Sequence, residues 1–539
     1  MAQQQWWKGA VIYQIYPRSF QDTNGDGIGD LPGIINRLDY IKSLGVDAIW
    51  ISPFFKSPMK DFGYDISDYR DIDPMFGNLD DFDTLIAQAH QRDIKIIIDQ
   101  VLSHTSNEHQ WFIESRENTS NDKADWYVWA DAKPDGSAPN NWLSIFGGTA
   151  WQWEPRRCQY YLHNFLTEQP DLNFHNPDVR KAVLDNVEFW LKKGVDGFRL
   201  DAINFCYHDA QLRDNPAKPK ELRQGRGFSE DNPYAFQYHY YNNTQPENLA
   251  FMQEIRSLLD RYPGTVSLGE ISSEDSLQTM AEYTADGDKL HMGYSFELLT
   301  KDYSAQYIRE TVSTLESVMT QGWPCWAFSN HDVERVASRW HPSAKTDSKQ
   351  VSMLTALLGS LRGSVCMYQG EELGLGEAQV AFEDLQDPYG ITFWPNFKGR
   401  DGCRTPMPWQ HEQPHAGFST STPWLPVEQQ HQALAVDVQL HSEESVLKRF
   451  QHFMAWRKTM PALQYGDIEF IDTPEPILAF YRRYEQQSML CVFNLGDQSH
   501  TLPLSDNIHT EHTQLQHHNG SLNEGTLTMP GFGCYFAAV

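Results

Sequence analysis

Residues 176–203, NPDVRKAVLDNVEFWLKKGVDGFRLDAI, contain a helix followed directly by a strand. Asn176 can cap the helix, and Gly194 can end it. The short apolar run GFRLDAI that comes next predicts a buried strand. Apolar residues on one face of the helix recur at helical spacing: Val183, Val187 and Leu191. The stretch therefore indicates one helix–strand unit of an α/β fold.

The same alternation runs along most of the chain. Short apolar runs predict strands near 10–16, 48–53, 95–101, 197–203, 266–271, 292–298, 324–330 and 364–369. Amphipathic patterns predict helices near 32–44, 79–92, 177–193, 247–262, 276–285, 302–320, 347–362 and 444–460. Eight strands alternating with eight helices predict a (β/α)8 TIM barrel, with a doubly wound open sheet as the alternative from the pattern alone.

Long stretches that break this rhythm suggest a division into domains. We predict that the barrel begins in 1–103, is interrupted by an inserted B domain at 104–173, and continues in 174–460 with a long loop subdomain at 375–443. The strand-only pattern of 461–539 predicts a C-terminal antiparallel β-sandwich. The insertions, including a long loop at 204–246, follow strand ends, where a barrel places its active site.

Composition excludes several classes of function. Of 539 residues, 43 are basic and 72 acidic, a net charge of −29, which argues against binding to a nucleic-acid backbone. The sequence has neither a secretory pattern nor an apolar run long enough to span a membrane. Seven cysteines without CxxC spacing fit a reducing compartment. We therefore expect a cytoplasmic protein, a monomer or small homo-oligomer, without nucleic-acid or membrane partners.

Charged residues stand where several predicted strands end. These are Asp99 on the third strand, Arg199 and Asp201 on the fourth, Glu270 on the fifth and Asp332 after the seventh. Because burial of a charge is costly, a single such residue is most simply explained by a structural ion pair. Four strands that all end in this way at one end of a barrel point instead to a functional site.

The spacing of these residues suggests a particular chemistry. Arg199 and Asp201 leave one face of their strand, and a neighbouring guanidinium keeps a carboxylate ionised, as a nucleophile requires. Glu270, from the next strand, would be protonated in a less solvated site. An ionised carboxylate beside a protonated one is the pair used in retaining glycoside hydrolysis. Asp332 would stabilise positive charge on the sugar ring.

Four short segments resemble the conserved regions of glycoside hydrolase family 13, the α-amylase family. They are DQVLSH at 99–104, GFRLD at 197–201, GEI at 269–271 and FSNHD at 328–332. The resemblance implies that Asp201 is the nucleophile, Glu270 the general acid/base and Asp332 the transition-state stabiliser. It also implies contacts to the sugar and the carboxylates from Arg199, His104 and His331, with Asp99 in a supporting role.

Two further segments resemble the oligo-1,6-glucosidase-like and α-glucosidase members of that family. MKDFGYD at 59–65 would place Asp61 and Tyr64 in the pocket for the reacting sugar, and GRDGCRTPMPW at 399–409 would pair Arg404 with Asp61. This pair would close the pocket and imply exo-action on one glucose. Phe146 and Phe165 are expected as aromatic walls, or equally as core residues of the B domain.

The resemblance implies a retaining exo-acting α-glucosidase that releases α-glucose from the non-reducing ends of short oligosaccharides. In similar enzymes a small residue after the nucleophile, here Ala202, accompanies α-1,4 specificity, whereas valine accompanies α-1,6 specificity. Discrimination by one methyl-sized difference amounts to about 1–3 kcal/mol. Transglucosylation is expected as a side activity.

The loop DTNGDGIGD at 22–30 is a candidate cation site. Its residues Asp22, Asn24, Asp26 and Asp30 offer oxygen ligands of the kind that suits Ca²⁺ or Mg²⁺, although the alternative is an Asx-rich turn without an ion. The resemblance favours one structural divalent cation, with the carbonyl of Ile28 as a further ligand. No organic cofactor is expected.

Two other functions compete with this interpretation. A glucosyltransferase or isomerase, of the sucrose isomerase or trehalose synthase type, would use the same residues and differ only in the acceptor. A non-catalytic relative acting as a binding protein belongs to another class. Such relatives have a membrane segment and have lost catalytic residues, whereas this chain retains Asp201, Glu270 and Asp332.

Overall fold

A computed structural model describes residues 5–223, 228, 231–341, 347–504, 511–512 and 520–539. Its central sheet has eight parallel strands. They are β1 Val11–Ile15, β2 Ala48–Ile51, β3 Lys95–Val101, β4 Gly197–Asp201, β5 Val266–Ile271, β6 Met292–Ser295, β7 Cys325–Ala327 and β8 Ser364–Tyr368.

The sheet closes into a barrel. Its strand order is β6-β5-β4-β3-β2-β1-β8-β7, and a parallel bridge between Gly293 and Pro324 joins the two outer strands. The predicted TIM barrel is therefore confirmed, and the doubly wound open sheet is wrong. Alternation along each strand divides the core: Ile12 and Trp50 point into the barrel, whereas Tyr13 and Ile49 pack outward against the helices.

Helices alternate with the barrel strands. The helices of the first half are α1 Leu31–Asn36, α2 Leu38–Ser43, α3 Leu79–His90, α4 Gln110–Ser115, α5 Pro177–Lys192, α6 Asn248–Leu259, α7 Ser276–Thr284 and α8 Ala305–Val318. Those of the second half are α9 Val336–Arg339, α10 Ser348–Leu358, α11 Pro388–Phe393, α12 Gln429–Gln432, α13 Val436–Leu440, α14 Val446–Arg457 and α15 Pro461–Tyr465. Among the described residues, none of these helices is both long enough and apolar enough to cross a bilayer.

Two short sheets lie in the long segments that follow β2 and β3. Strands Phe55–Lys56 and Asp68–Ile72 pair after β2. Between β3 and α5, strands Trp129–Ala130, Trp151–Glu154 and Gln159–Leu162 form an antiparallel sheet over a small core that includes the buried rings of Trp142 and Trp151. The exact domain boundaries stay predictions.

The described residues of the C-terminal part form two antiparallel sheets. The larger has the order β9-β10-β11-β16-β13, and the smaller has the order β12-β15-β14. Their bounds are β9 Asp467–Ile471, β10 Ile477–Tyr484, β11 Gln487–Asn494, β12 His500–Pro503, β13 Glu511–His512, β14 Ser521–Asn523, β15 Thr526–Met529 and β16 Cys534–Ala538. Side chains such as Val492 and Leu527 form a core between the sheets, whereas the ring of Phe536 packs on Trp456 of α14. The larger sheet therefore joins the sandwich to the barrel.

Candidate active site

Three carboxylates meet at the carboxyl-terminal end of the barrel. Asp201 is the last residue of β4, and Glu270 lies one residue before the end of β5. Asp332 follows β7 in a turn that is fixed by a 2.9 Å hydrogen bond from its N–H to Asn330 Oδ1. All three line one cleft with about 710 Å3 of empty space, which is suitable for a small-molecule ligand.

Arg199 contacts both members of the expected nucleophile–acid pair. Its fully buried guanidinium donates from Nη1 to Asp201 Oδ1 at 2.6 Å and from Nη2 to Glu270 Oε1. Asp99 stands opposite Arg199 on β3 and accepts from Nη1 at 2.9 Å. The buried positive charge is therefore compensated by three carboxylates. Arg199 and Asp99 lie behind the cleft and orient the residues that line it.

Burial raises the pKa of both carboxyl groups. Removal from water brings the pKa of Asp201 to about 7 despite the opposing charge of Arg199, and it brings the pKa of Glu270 to about 7 as well. Glu270 also accepts hydrogen bonds from Tyr294 Oη at 2.9 Å and from the Ala202 N–H at 3.0 Å. The guanidinium of Arg199 is therefore shared between Asp201 and Glu270 and does not pair with Asp201 alone. Both carboxyl groups therefore change protonation state near neutral pH.

Asp332 is the carboxylate that remains ionised. Burial would raise its pKa, but nearby positive charge lowers the pKa below the usual value of an aspartate. Arg404 Nη2 and Arg400 Nη1 donate to Asp332 Oδ1 at 3.1 and 3.2 Å. Burial depresses the pKa of the neighbouring His331, so its ring is neutral. The two guanidinium groups therefore supply the charge that keeps Asp332 negative.

Arg400, rather than Arg404, binds Asp61. The predicted Arg404–Asp61 pair is wrong, because Arg404 is buried below the cleft and donates from Nε to the His331 carbonyl at 2.7 Å. Arg400 donates from Nη2 to Asp61 Oδ1 at 2.9 Å. Asp387 holds Arg400 in this position, accepting from Nε at 3.0 Å and from Nη2 at 2.9 Å. The arginine that binds Asp61 therefore comes from the predicted motif, but it stands four residues before the predicted Arg404.

Tyr64 and His104 line the cleft together with Asp61 and Arg400. The ring of Tyr64 stacks on His331 with a centroid separation of 5.3 Å. Burial lowers the pKa of His104 to about 4, so this histidine is a neutral hydrogen-bonding group. Gln169 crosses from the segment before α5 and donates from Nε2 to Asp61 Oδ2 at 3.1 Å. These contacts fix the side chains before a substrate arrives.

Aromatic rings form a wall of the cleft. Phe146 and Phe165 both line the cleft, half-buried, with centroids 6.2 Å apart. Phe146 packs edge-on against Tyr389 at 5.3 Å, and Phe165 packs against Phe205 at 5.3 Å. Both rings therefore line the cleft as predicted, and their neighbours Tyr389 and Phe205 lie outside the inserted segment, so the alternative that the rings are core residues of the B domain is wrong.

Ala202 lines the cleft in an unusual backbone conformation. Its φ of 40° and ψ of 45° lie in the left-handed region, which residues other than glycine rarely adopt. This turn ends β4 at Asp201 and aims the Ala202 N–H at Glu270 Oε2. The small side chain is therefore placed beside both members of the carboxylate pair.

The loop after β1 ties its polar side chains to its own backbone. Asp22 Oδ1 accepts from the Asn24 N–H at 3.0 Å, and Asp26 Oδ1 accepts from the Ile28 N–H at 2.9 Å. Asp30 caps α1. In the described ranges, no three Asp, Glu, His or Cys side chains are grouped as a metal site. The carboxylate, amide and carbonyl oxygens of the loop are nevertheless the ligand type that suits Ca²⁺ or Mg²⁺.

Several residues of the site were not assigned from the sequence. Arg400 stands inside a motif that was singled out, and Tyr294 occupies an inward-facing position of β6, so both carried a signal. Gln169 and Asp387 lie in irregular segments, where no periodicity indicates which way a side chain points. Their roles become visible only from their contacts with Asp61 and Arg400.

Comparison with known families agrees with this architecture. The family model described as "Alpha amylase, catalytic domain" matches residues 14–466. A second model, "Alpha-amylase SusG C-terminal domain", matches residues 477–534. Together these matches span the barrel with its insertions and most of the C-terminal sandwich.

Individual relatives match over almost the whole chain. A probable alpha-glucosidase of Rhizobium meliloti is 54% identical over 538 residues, covering 99% of this chain and 97% of the relative. An oligo-1,6-glucosidase of Heyndrickxia coagulans is 38% identical, covering 92% of both. The crystal structure of the alpha-glucosyl transfer enzyme XgtA is 65% identical, with a TM-score of 0.98 over 99% of this chain and 100% of that one. The chain belongs to the α-amylase family of glycoside hydrolases, family 13, and within it to the group of α-glucosidases and oligo-1,6-glucosidases.

Proposed function

We propose that this protein is a retaining exo-acting α-glucosidase that releases α-glucose from short α-glucosides. The observation that carries the proposal is the single guanidinium of Arg199, which binds Asp201 and Glu270 together. Retaining enzymes hold their two carboxyl groups about 5–5.5 Å apart, whereas inverting enzymes leave room for a water molecule between them. A bridge through one side chain supports the closer arrangement.

The reaction then follows from the roles of these two residues. Asp201 attacks the anomeric carbon, the bond to the glycosidic oxygen breaks, and Glu270 gives its proton to that oxygen. In the second step a water oxygen bonds to the anomeric carbon, the bond to Asp201 breaks, and Glu270 takes a proton from that water, which returns α-glucose and the starting enzyme. Asp332, kept negative by Arg400 and Arg404, faces the positive charge that develops on the ring.

Exo-action is supported by the ion pair at the far end of the cleft. Asp61 and Arg400 are both less than a tenth exposed and are joined at 2.9 Å, and Gln169 holds the second Asp61 oxygen. A sugar whose non-reducing end faces this pair finds charged hydrogen-bonding groups where a longer chain would have to pass. One terminal glucose therefore fits, and an internal unit of a polymer does not.

Ala202 supports a preference for α-1,4 linkages such as that of maltose. Its methyl group leaves more space beside Glu270 than a valine would. The names of the relatives point both ways, since one is a probable alpha-glucosidase and another an oligo-1,6-glucosidase. The proposal of maltose-like substrates therefore depends on the cleft around Ala202.

Transfer of glucose to a sugar is the second candidate, and we propose it as a side activity. A specific observation favours it, namely 65% identity to a solved alpha-glucosyl transfer enzyme. Transfer uses the same glucosyl–Asp201 intermediate and replaces water with a sugar hydroxyl. A transferase or isomerase as the main activity remains the alternative to hydrolysis.

A structural divalent cation at the loop after β1 is a further part of the proposal. Asp22, Asn24, Asp26 and Asp30, with the carbonyl of Ile28, would supply hard oxygen ligands for Ca²⁺ or Mg²⁺. The loop follows β1, and none of these residues is among those that line the cleft with Asp201 and Glu270, so the ion would stabilise the fold and take no part in bond cleavage.

The test is to follow maltose and purified protein by proton NMR from the first minutes. Initial release of α-glucose, about two glucose molecules per maltose consumed, supports retaining hydrolysis. The glucose that leaves from the reducing end keeps the α/β mixture of maltose, so only β-glucose in excess of that share would contradict retention, and new linkages with little free glucose would make transfer the main reaction. Asp201→Ala is the control and should abolish turnover, because it removes the nucleophile.

A further inference from the structure

A second cavity adjoins the catalytic cleft on the side of the leaving group. The two share Ser272 and Phe296, and Ser272 stands two residues after the general acid Glu270. Asp61 and Arg400 close the cleft at another end. A group attached to the oxygen that Glu270 protonates therefore extends away from that pair and toward the second cavity.

An ion pair forms one wall of this cavity. Lys218 Nζ donates to Glu274 Oε2 at 2.6 Å, and Glu274 Oε1 accepts from the His239 N–H at 3.0 Å. Both charged side chains are mostly buried, with 13% and 22% of their surface exposed. An ammonium group has three protons, and a carboxylate has about four acceptor positions. Within the described part of the chain, these contacts use only some of that capacity, and the pair can both donate to and accept from hydroxyl groups.

Aromatic faces lie beside the ion pair. Tyr234, buried and stacked on His239, lines the cavity together with Phe296. Tyr238 and Tyr240 stack with their centroids 5.0 Å apart, and Lys218 Nζ lies 5.0 Å from the Tyr238 ring. Charged hydrogen-bonding groups next to apolar ring faces suit a sugar, which has hydroxyl groups at its edge and C–H groups on its faces.

We propose that Lys218 and Glu274 bind the second sugar unit of the reaction. The site would hold the leaving glucose of a disaccharide in the first step and an acceptor sugar in the second. This inference rests on the proposed function, because it needs the glucosyl–Asp201 intermediate. In transfer, the acceptor oxygen bonds to the anomeric carbon, the bond to Asp201 breaks, and the acceptor proton passes to Glu270.

A merely structural ion pair is the competing explanation. Lys218 lies in the long loop after β4, and Glu274 lies in the segment between β5 and α7, so the pair also fastens one loop to another. A structural role would affect the thermal stability and the total rate. It would leave unchanged the division of one common intermediate between water and a sugar acceptor.

The experiment measures that division with α-glucosyl fluoride as the donor. Fluoride is too small to reach the second cavity, and all variants form the same intermediate. Fluoride release counts total turnover, while free glucose and the new methyl disaccharide, measured with increasing methyl β-glucoside as an acceptor that an α-glucosidase does not cleave, give the ratio of transfer to hydrolysis. This ratio does not depend on how much of a variant is folded.

Glu274→Gln and Lys218→Met should each lower the ratio of transfer to hydrolysis about tenfold, as the loss of a hydrogen bond to a charged group predicts. Lys218→Arg should retain most of it. The control Lys181→Met removes a lysine that is 75% exposed in an ion pair on α5, and its ratio should equal that of the unchanged protein. Equal ratios in all variants would overturn the inference. No fluoride release from the unchanged protein would instead contradict the proposed function.

Discussion

Two arginines four residues apart in one loop serve different carboxylates. Arg400 joins Asp61, Asp387 and Asp332, whereas Arg404 joins Asp332 and the carbonyl of His331. The sequence motif predicts that an arginine reaches Asp61 but does not distinguish between the two. The choice is made by Asp387, thirteen residues before Arg400, through contacts that no periodicity reveals.

A double-mutant cycle tests this pairing. Asp61→Asn and Arg400→Gln should each lower kcat/KM for maltose, and the double variant should lose much less than the two effects combined, with a coupling of about 1–3 kcal/mol. Asp61→Asn combined with Arg404→Gln serves as the matched control and should be closer to additive. Stronger coupling with Arg404 than with Arg400 would mean that the predicted pair, rather than the observed one, operates in solution.

The pH dependence of activity reports the buried carboxylate pair. Turnover needs Asp201 ionised and Glu270 protonated. Activity is therefore lost on the acid side when both are protonated and on the alkaline side when both are ionised. Because burial raises both pKa values to about 7, kcat/KM should peak near neutral pH. Aspartate and glutamate at their ordinary values of about 4 would instead place the maximum near pH 4.

A variant separates the two limbs of that profile. Tyr294→Phe removes a donor to Glu270 Oε1, which stabilises the ionised form, and so should raise the pKa of Glu270. The alkaline limb should then move to higher pH while the acid limb changes less. A profile that peaks near pH 4, or an alkaline limb that moves to lower pH in the variant, would contradict this description of the pair.

Ala202→Val tests the proposed linkage preference. Added methyl groups beside Glu270 should lower the ratio of kcat/KM for maltose to kcat/KM for isomaltose. Such a change in size usually alters discrimination by about 1–3 kcal/mol, so we expect a shift of about 10-fold toward isomaltose. A β-branched residue at a φ of 40° is also strained, so the variant should unfold at a lower temperature. Ala202→Gly, which tolerates this backbone, should avoid that strain and keep the preference for maltose. An unchanged ratio in the valine variant would remove the basis for the α-1,4 proposal.

At the level of helices and strands, the sequence predicted the elements better than their ends. The apolar run 197–203 predicts a strand that the structure ends at Asp201, because Ala202 turns into the left-handed region. The run 324–330 shortens to Cys325–Ala327 because the chain leaves the sheet in the turn that carries Asp332. Burial produces the apolar runs, but the hydrogen bonds of the following loop decide where each strand ends. These loops also carry most of the site, which explains why its ion pairs were harder to predict than the barrel.

The loop at 22–30 gives the prediction that belongs to this level. Chelation with EDTA should lower the midpoint of thermal unfolding, and added Ca²⁺ or Mg²⁺ should restore it, because an ion bound only by the folded state stabilises that state. Asp26→Asn removes an exposed ligand charge and should reduce the response to the ion. The exposed Asp68→Asn, outside the loop, is the control. A midpoint that neither EDTA nor either cation changes would refute the cation proposal.

At the scale of the molecule, the barrel and the sandwich share buried structure. The inner face of β10, β11 and β16 is part of the same apolar core as the barrel helices. Arg482 on β10 is fully buried and donates to the carbonyls of Ser360 and Leu361, which lie between α10 and β8. The same guanidinium donates to Gly466 before β9. One side chain therefore ties three segments together, and we expect the two parts to unfold as one.

Arg482→Met and Arg483→Met form a matched pair that tests this coupling. Arg482→Met leaves several buried carbonyls without a donor. Each unpaired carbonyl lowers the stability by about 1–3 kcal/mol, so the free energy of unfolding should fall markedly. Arg483 is half exposed and pairs with Glu469, so its loss should change the stability by no more than about 0.5 kcal/mol. Calorimetry should show one transition for the unchanged protein, lowered strongly by the first substitution and little by the second. Equal shifts, or two separate transitions in the unchanged protein, would mean that the sandwich is only attached to the barrel and does not support it.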